Sequence, residues 1–571
     1  MKSKLIYKLA SILLVVILSA CSDYLDPTVI TDYTDKYVLS NYDLTKERVT
    51  GIYTRLRQGF YPVGGATNGA MLASASDESE HTLETSPIQN FNVGSWNSYI
   101  NPDNVWGYYY QGIRMANQYI ASNATETVNL DRQKYDPNST EAYEIFFAEV
   151  TRWDYEVRYL RAYFYFELIK RYGGVPLLTE ALPLDYDIST VTRNSLEDCI
   201  NFIVSECETA AQNLPESYSD GDLGRATKGA ALALKSRVLL YAASDLFNTA
   251  SWSGGYSNEE LVSLPQGNRE QRWRDAADAA KAVIDLNNPG YELANNYSAP
   301  FMGDGFQNSE VIFTVRDGSS NNFEKNNISV GYDEGRSGTT PSQNLVDAYE
   351  MKDGSEFDWN NPEHAENPYA NRDDRLGQTI VFNNKSFKGR PIEVWNGGQD
   401  GFPVPEASRT GYYLQKYVNE SLDLVNDRTS VHSWIVFRLG EMYLNYAEAL
   451  NEVDPGNPDI TYYLNLLRQR GGLLDLPASL SQDEAREIIR NERRVELAFE
   501  EHRIWDVRRW MTAPSALGAP LRGVNVQKQE DDSFSYQPVN VENRTFSDKM
   551  YFYPIPQGEV EVAGLIQNPL W

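Results

Sequence analysis

The side chains that could carry acid–base, nucleophilic or metal chemistry in this chain are scattered rather than grouped. Its four histidines, His81, His364, His432 and His502, never stand four residues apart, so the helical two-imidazole zinc motif is missing. No glycine-rich loop ends in Lys-Ser or Lys-Thr, and no Gly-x-Ser-x-Gly elbow occurs. Asp353, Glu356 and Asp358 are close together but lack the ordered ligand spacing of a calcium loop. A glycosidase needs two carboxylates about 5–10 Å apart across the scissile bond. With 80 acidic residues some pair always qualifies in space, and nothing singles one out. Glu496, Glu500 and His502 invite an enzymatic reading. They lie in NERRVELAFEEHRIWDVRRW (491–510), where Arg493, Arg494, Glu496, Glu500, Arg503, Asp506, Arg508 and Arg509 recur three and four residues apart. On one helix that spacing lets opposite charges meet, with Val495, Leu497, Phe499, Ile504 and Trp505 supplying apolar contacts between them. The better account is a buried or semi-buried ion-pair network, and the expectation is a protein with no catalytic residue, metal or cofactor.

One cysteine does have a specified chemistry. Lys2, Lys4 and Lys8, without acids, precede an apolar run from Leu9 to Leu18, and the run ends in Leu18-Ser19-Ala20-Cys21. A basic start, a short apolar core and small residues before a cleavage point make a secretory signal, too short for a bilayer core that needs about 20 residues. The Leu-Ser-Ala-Cys ending resembles a bacterial lipobox, which implies that Cys21 becomes the lipidated first residue of the mature protein. Residues 1–20 are then the signal peptide and 21–43 the lipidated cysteine and a tether, so the acyl chains are the expected hold on the membrane. Cys199 and Cys207 lie on one helical stretch roughly 12 Å apart, beyond the reach of about 7 Å that a disulfide allows. They read as two unpaired, partly buried thiols. A net charge of −29, deepened when the lysine-bearing leader is removed, makes nucleic acid an unsuitable partner.

What remains is binding chemistry. The chain has 38 Tyr, 21 Phe and 11 Trp, and aromatics at helical spacing belong to helix seams. Aromatics among Gly, Asn and Ser in loops are the ones that could stack on a sugar face, with polar neighbours reading its hydroxyls. FNVGSWNSYIN (91–101) is the first such segment: Trp96 stands where no core period explains it, beside Tyr99 and Asn101. The loop before it supplies Asn68, Asp77 and His81. Residues 316–339 form the second segment, with Phe323, Tyr332 and Arg336. Trp252, Trp359 and Trp395 are further loop aromatics. For each of them the alternative is a ring folded back as a plug on the scaffold.

The elements that must position these loops are helical. The pattern predicts helices at 44–58, 104–122, 141–172, 195–213, 225–247 and 271–286, then 434–453, 459–471 and 482–511. The long helix 141–172 stops at Gly173-Gly174-Val175-Pro176. Between about 287 and 430, Gly, Asn, Pro and Asp dominate, with bursts such as EVIFTV (310–315), so loops and short strands are expected there. Helices 434–453 and 459–471 together span roughly one tetratricopeptide period, with Ala447 and Ala449 allowing close approach. The pairs 104–122 with 141–172 and 195–213 with 225–247 look like the same unit. The fold class is therefore mainly α: tetratricopeptide-like helix pairs as a scaffold, carrying a loop-rich, irregular ligand-binding region with short strands.

Several segments, in order, resemble the SusD/RagB family of outer-membrane nutrient-binding lipoproteins. They are RYLRAYFYFELIKRYGGVPLL (158–178), GRATKGAALALKSRVLLYAAS (224–244), TPSQNLVDAYEMKDGS (340–355), NRDDRL (371–376), FRLGEMYLNYAEALNE (437–452), the 491–510 segment, YPIPQGEV (553–560) and QNPLW (567–571). The resemblance implies an N-terminal SusD-like helical region over 44–286 and a C-terminal RagB/SusD region over 287–571. The latter is loop-rich over 287–430 and helical over 431–511, with a tail over 512–571. It implies a non-catalytic cell-surface protein, anchored in the outer membrane and facing the exterior, that binds glycan and passes it to a TonB-dependent, SusC-like transporter. It carries a ligand-contacting role to Trp96, since family members often use a tryptophan in that stretch. Asp77-Glu78 is similar to a recurrent family turn, which makes a structural role the alternative for Asp77. Residues 316–339 depart from the family pattern in holding no tryptophan. A peptide-binding relative of the same fold, and a lipoprotein glycoside hydrolase, are the competing functions.

Overall fold

The computed structural model describes residues 35–39, 41–124, 140–183 and 185–571; Cys21, the leader and most of the tether lie outside them. The described residues form two units, one within residues 1–48 and 122–151, the other within residues 49–121 and 152–571. In the first, Tyr42 packs its ring on Phe146, with centroids 4.6 Å apart, and its hydroxyl donates to Glu149.

The second unit is built on helices α1 (Trp106–Ala121), the C-terminal part of α2 (Thr140–Tyr172), α3 (Leu196–Asn213), α4 (Lys228–Ala243), α5 (Arg269–Ile284), α6 (Leu439–Val453) and α7 (Pro458–Arg470). Their starts are written in the sequence. Ser195 and Thr227 accept from the backbone N–H three residues on, and Asn457 accepts from Asp459 N ahead of Pro458, satisfying N–H groups that a helix start leaves open. The stop of α2 is equally local. Gly173 has φ +73°, and a Cβ there would meet Leu261 O at 2.4 Å, so only glycine turns the chain at this point. Successive helices pack side by side, α3 on α4, α4 on α5, α5 on α6 and α6 on α7. Their seams use small residues: Ala243, Ala276, Ala277, Ala280, Ala447 and Ala449 pack with Leu240, Leu444 and Leu464. This is the expected tetratricopeptide-like scaffold. The segments 195–213 with 225–247, and 434–453 with 459–471, do pair.

Among the described residues, six strands of three or more residues form separate two-stranded ribbons: β1 (Ser79–His81), β2 (Val311–Arg316), β3 (Thr339–Pro341), β4 (Ser433–Arg438), β5 (Leu521–Lys528) and β6 (Phe534–Glu542). β1 pairs with β3, β2 with β4 and β5 with β6, all antiparallel. The expected helix 434–453 is thus a strand followed by a helix. Trp434-Ile435-Val436-Phe437 is β-branched and aromatic, suits a fully buried strand, and pairs with the EVIFTV segment. The expected helix 482–511 is also divided, into α8 (Gln482–Glu496) and α9 (Arg503–Arg509). The chain turns between them with Phe499 at φ +60° and Glu501 at φ +65°. That turn sends Glu500 to Arg438 and Lys416 and Glu501 to Arg171, which a continuous helix could not do for both.

The charges of this segment are buried and paired. Arg438 donates to Glu310, Glu496 and Glu500 at 2.6–2.8 Å. Arg375 reaches Asp373 and Glu496 at 2.7 and 2.8 Å. Arg509 and Trp510 Nε1 donate to Glu448. Burial alone raises the Glu448 carboxyl, but Arg509, Arg493 and Trp510 overcome this and hold it at about 2, against an ordinary 4.5. Its stabilising contribution is therefore complete above pH 4.5 and is lost as pH falls toward 2. Glu448→Gln should lower stability at pH 7 by about 3 kcal/mol and should flatten the loss of stability below pH 4.5. Urea titrations at pH 7 and at pH 3 measure both effects.

Candidate functional site

Tyr332, Trp395 and Phe402 are half-buried or exposed loop aromatics outside the helix pairs, tied to one another through Arg390 and the 393–402 segment. Tyr332 is half-buried; its hydroxyl donates to Phe387 O at 2.7 Å and burial pushes it up to about 12, so it stays a neutral donor. The Arg390 guanidinium stacks on its ring, 3.9 Å from the centroid. Arg390 is held there by both oxygens of Asp400 at 2.6 and 2.9 Å and by Gly331 O at 2.9 Å. The Asp400 hydrogen bond raises the Arg390 pKa further. Asp400 is buried and also accepts from Ser329 Oγ and Glu393 N, so its lone pairs are spent on structure and not on proton transfer. Gly331 has no alternative: a Cβ there would meet Asp400 Oδ1 at 2.2 Å.

Two further aromatics come from the same loop as Asp400. Trp395 is half-buried, its ring 5.3 Å from Phe534 and 5.3 Å from Lys528 Nζ. Phe402 is 72% exposed, and its carbonyl accepts from Gly397 N at 2.7 Å, which closes the loop that carries it. On the neighbouring segment, Asn326 Oδ1 accepts from Asn68 N at 3.2 Å and from Arg336 Nη1 at 3.3 Å. Asn68, Glu334 and Ser337 all have φ between +52° and +67°. Left-handed non-glycine residues of this kind concentrate where a surface is shaped for a ligand. Flat rings, fixed amides and a clamped guanidinium on a rigid scaffold can bind a polyhydroxylated molecule.

The residues singled out from sequence fall in separate places. Asn68 and Arg336 meet at Asn326, and Tyr332 and Trp395 are linked through Arg390 and the Asp400 loop. His81 is buried on β1, where Nδ1 accepts from Leu83 N and burial lowers its pKa. Tyr99 is 74% exposed, with its hydroxyl donating to Glu561 of the C-terminal segment, and Asn101 Oδ1 accepts from Asp103 N in a local turn. Three expectations need correcting. Trp96 is 1% exposed; Phe91, Tyr553 and Trp571 surround its ring at 4.7–5.0 Å, so it is a plug and not a platform. Phe323 is equally buried, its ring edge-on to Phe60 at 4.9 Å and close to His432. Asp77 is a strut: Arg494 and Arg503 donate to it at 2.7–2.9 Å and, against burial, hold its carboxyl well below the usual range.

Arg390, Asp400 and Phe402 were missed. The visible signal was Gly397-Gly398-Gln399-Asp400-Gly401-Phe402-Pro403, an aromatic in a glycine-rich turn. Asp353 and Asp358 serve local turns, accepting from Ser355 N and Asn360 N. Among the described residues no group of three or more His, Cys, Asp or Glu side chains is arranged around a metal position. Cys199 and Cys207 are free and buried, and burial pushes the Cys199 thiol up to about 12.

A helical-repeat scaffold carrying long, aromatic-bearing loops is thus the class of protein that the geometry defines. Residues 307–571 match the model described as "SusD family", and residues 44–240 match the one described as "Starch-binding associating with outer membrane". The chain belongs to the SusD/RagB family. It is similar to a SusD-like protein of Bacteroides fragilis NCTC 9343, at 29% identity and TM-score 0.76 over 94% of this chain and 98% of that one. A SusD-like carbohydrate binding protein of the same strain shares the fold, at 24% identity and TM-score 0.73 over 92% and 99%. SusD-like protein P25 of Formosa agariphila is 25% identical over 426 residues, 71% of this chain and 70% of that protein.

The two kinds of aromatic should separate in stability measurements. Trp96→Ala should cost about 3–5 kcal/mol, as for other buried large-to-small changes. Phe402→Ala should stay within about 0.5 kcal/mol. Urea unfolding of the two variants gives both numbers.

Proposed function

We propose that this protein is a cell-surface lipoprotein that binds glycan and passes it to a partner TonB-dependent transporter of the outer membrane. The observation that carries the reading is the loop face of Tyr332, Trp395 and Phe402, with ring faces and polar edges held by Arg390 and Asp400. Membership of the SusD/RagB family supports it, as does the shared fold of a relative described as carbohydrate binding. The spent lone pairs of Asp400 support binding without catalysis. The lipobox-like Leu18-Ser19-Ala20-Cys21 supports a lipid anchor, and confinement beside a transporter raises the local concentration of a binder of modest affinity.

Affinity electrophoresis against a panel of polysaccharides tests the binding. At least one polysaccharide should retard the protein, and a Trp395→Ala/Phe402→Ala variant should bind it at least tenfold more weakly, about 1.4 kcal/mol. Retardation by none of them, together with binding of peptides, would overturn the glycan reading; release of product from a retained glycan would make the protein an enzyme.

The anchor has its own test. Cys21→Ala should move the protein from the membrane fraction to the soluble fraction. Protease added to intact cells should digest the unaltered protein, and protection would place it inside the cell envelope.

A further inference from the structure

A cavity of about 400 Å³ lies apart from the loop face and shares no residue with it. It opens between α1, the extended segment after Gly173-Gly174, and the short helix Gln557–Ala563. Its walls are apolar: Trp106 and Ile113 from α1, Leu178 and Leu182 from the extended segment, and Ala563 and Leu565 from the C-terminal segment. The size and lining are those of a small-molecule site. Ile188, at the lip, is 42% exposed.

Most polar groups that reach this cavity are already used by the protein. The Tyr110 hydroxyl donates to Pro176 O at 2.9 Å. Arg114 Nη1 donates to Leu182 O at 2.6 Å, and Asn117 Nδ2 donates to Leu178 O at 2.7 Å. Gln111 and Glu180 are exposed at the rim, and Glu559 is the half-buried group left over. Its carboxylate lines the cavity and is half-buried, and burial is the one influence that raises its pKa. No ion pair or hydrogen bond compensates this carboxylate among the described residues. Glu180, at the rim, adds a second negative group. Burying a charge without a partner is unfavourable, and a ligand that supplies the partner removes the penalty.

Gly107 points to the same cavity. It is the second residue of α1 and lines the opening, and a Cβ there would meet nothing within 4 Å, so no packing in the free protein demands a glycine. Its effect is to leave the mouth open.

We propose that this cavity is a second binding site that takes a small amphiphilic cation, an aromatic or branched apolar body with a single ammonium group that pairs with Glu559. A neutral ligand would leave the carboxylate uncompensated, and an anionic one would face two carboxylates, Glu559 and Glu180, against the single guanidinium of Arg114, which already donates to Leu182 O. The site is independent of the glycan reading and stands or falls separately.

Titration calorimetry on the full mature protein tests it with tryptamine as probe, N-acetyltryptamine as its neutral form and indole-3-acetate as the anion. Tryptamine should bind saturably at one site per chain, at least about fivefold more tightly than either of the other two. Glu559→Gln should weaken tryptamine at least about fivefold with an unchanged melting temperature. Gly107→Leu, which fills the mouth, should weaken tryptamine and N-acetyltryptamine alike. The proposal is overturned if tryptamine shows no saturable binding at millimolar concentration. It is also overturned if the neutral or anionic indole binds within fivefold of tryptamine, or if Glu559→Gln binds within fivefold of the unaltered protein. Should Glu559→Gln melt lower, the comparison of the three indoles on the unaltered protein decides alone.

Discussion

Arg438 is the constraint around which the larger unit is organised. It ends β4 and is 1% exposed, so its charge must be met inside the protein, because an unpaired buried charge is too costly to keep. The carboxylates that meet it come from distant points of the chain: Glu310 just before β2, Glu496 at the end of α8 and Glu500 in the turn that follows. Each of these has a further cation. Arg470 reaches Glu310 at 2.6 Å, Arg375 reaches Glu496, and Lys416 reaches Glu500 at 2.7 Å. Satisfying one guanidinium therefore fixes the β2–β4 ribbon, the α8–α9 turn, the end of α7 and the 371–376 segment together. Such a network is weak evidence for net stability, but it admits few alternative arrangements of the strands, turn and helix end that it joins.

The binding face repeats this logic on a smaller scale. Asp400 is buried, and the chain groups around it, Arg390, Ser329 Oγ and Glu393 N, leave it little freedom. Arg390 in turn is pinned against the Tyr332 ring. Ring and guanidinium are thus set before any ligand arrives, and a ligand that meets a preorganised surface has less conformational entropy to overcome. Phe402 is the contrast: its ring is exposed while its backbone is closed by Gly397, which is how a loop can offer an apolar surface without losing its shape.

Much of the scaffold was legible because helices advertise themselves locally. Periodicity and the double-glycine stop after Tyr172 place most helices within a few residues. The failures were tertiary. Residues 434–438 run into MYLNYAEAL without a break and so share its helical pattern, and only the pairing with β2 makes Ser433–Arg438 a strand. The turn after Glu496 is set by partners as remote as Arg171 and Lys416, which no local window contains. At the site, Tyr332, Arg336 and Asn68 were visible as polar-loop residues, and the clamp of Arg390 and Asp400 was not, because its partners meet only through the fold.

Trp96 shows why a loop tryptophan is an ambiguous signal. Gly, Ser and Asn around it mark an irregular backbone, and an irregular backbone can face either way. Here the chain terminus decides. Trp571 packs at 4.7 Å on Trp96, Lys549 lies over Trp571 at 4.4 Å, and Tyr553 completes the enclosure. Apart from Phe91, the rings that bury Trp96 come more than 450 positions later in the sequence, so composition around residue 96 carries no information about those. The same C-terminal segment supplies Glu559, Ala563 and Leu565 to the apolar cavity. One stretch of chain thus closes off one aromatic and leaves a carboxylate open, and what a side chain near residues 91–117 can do is set by how the last twenty residues pack against it.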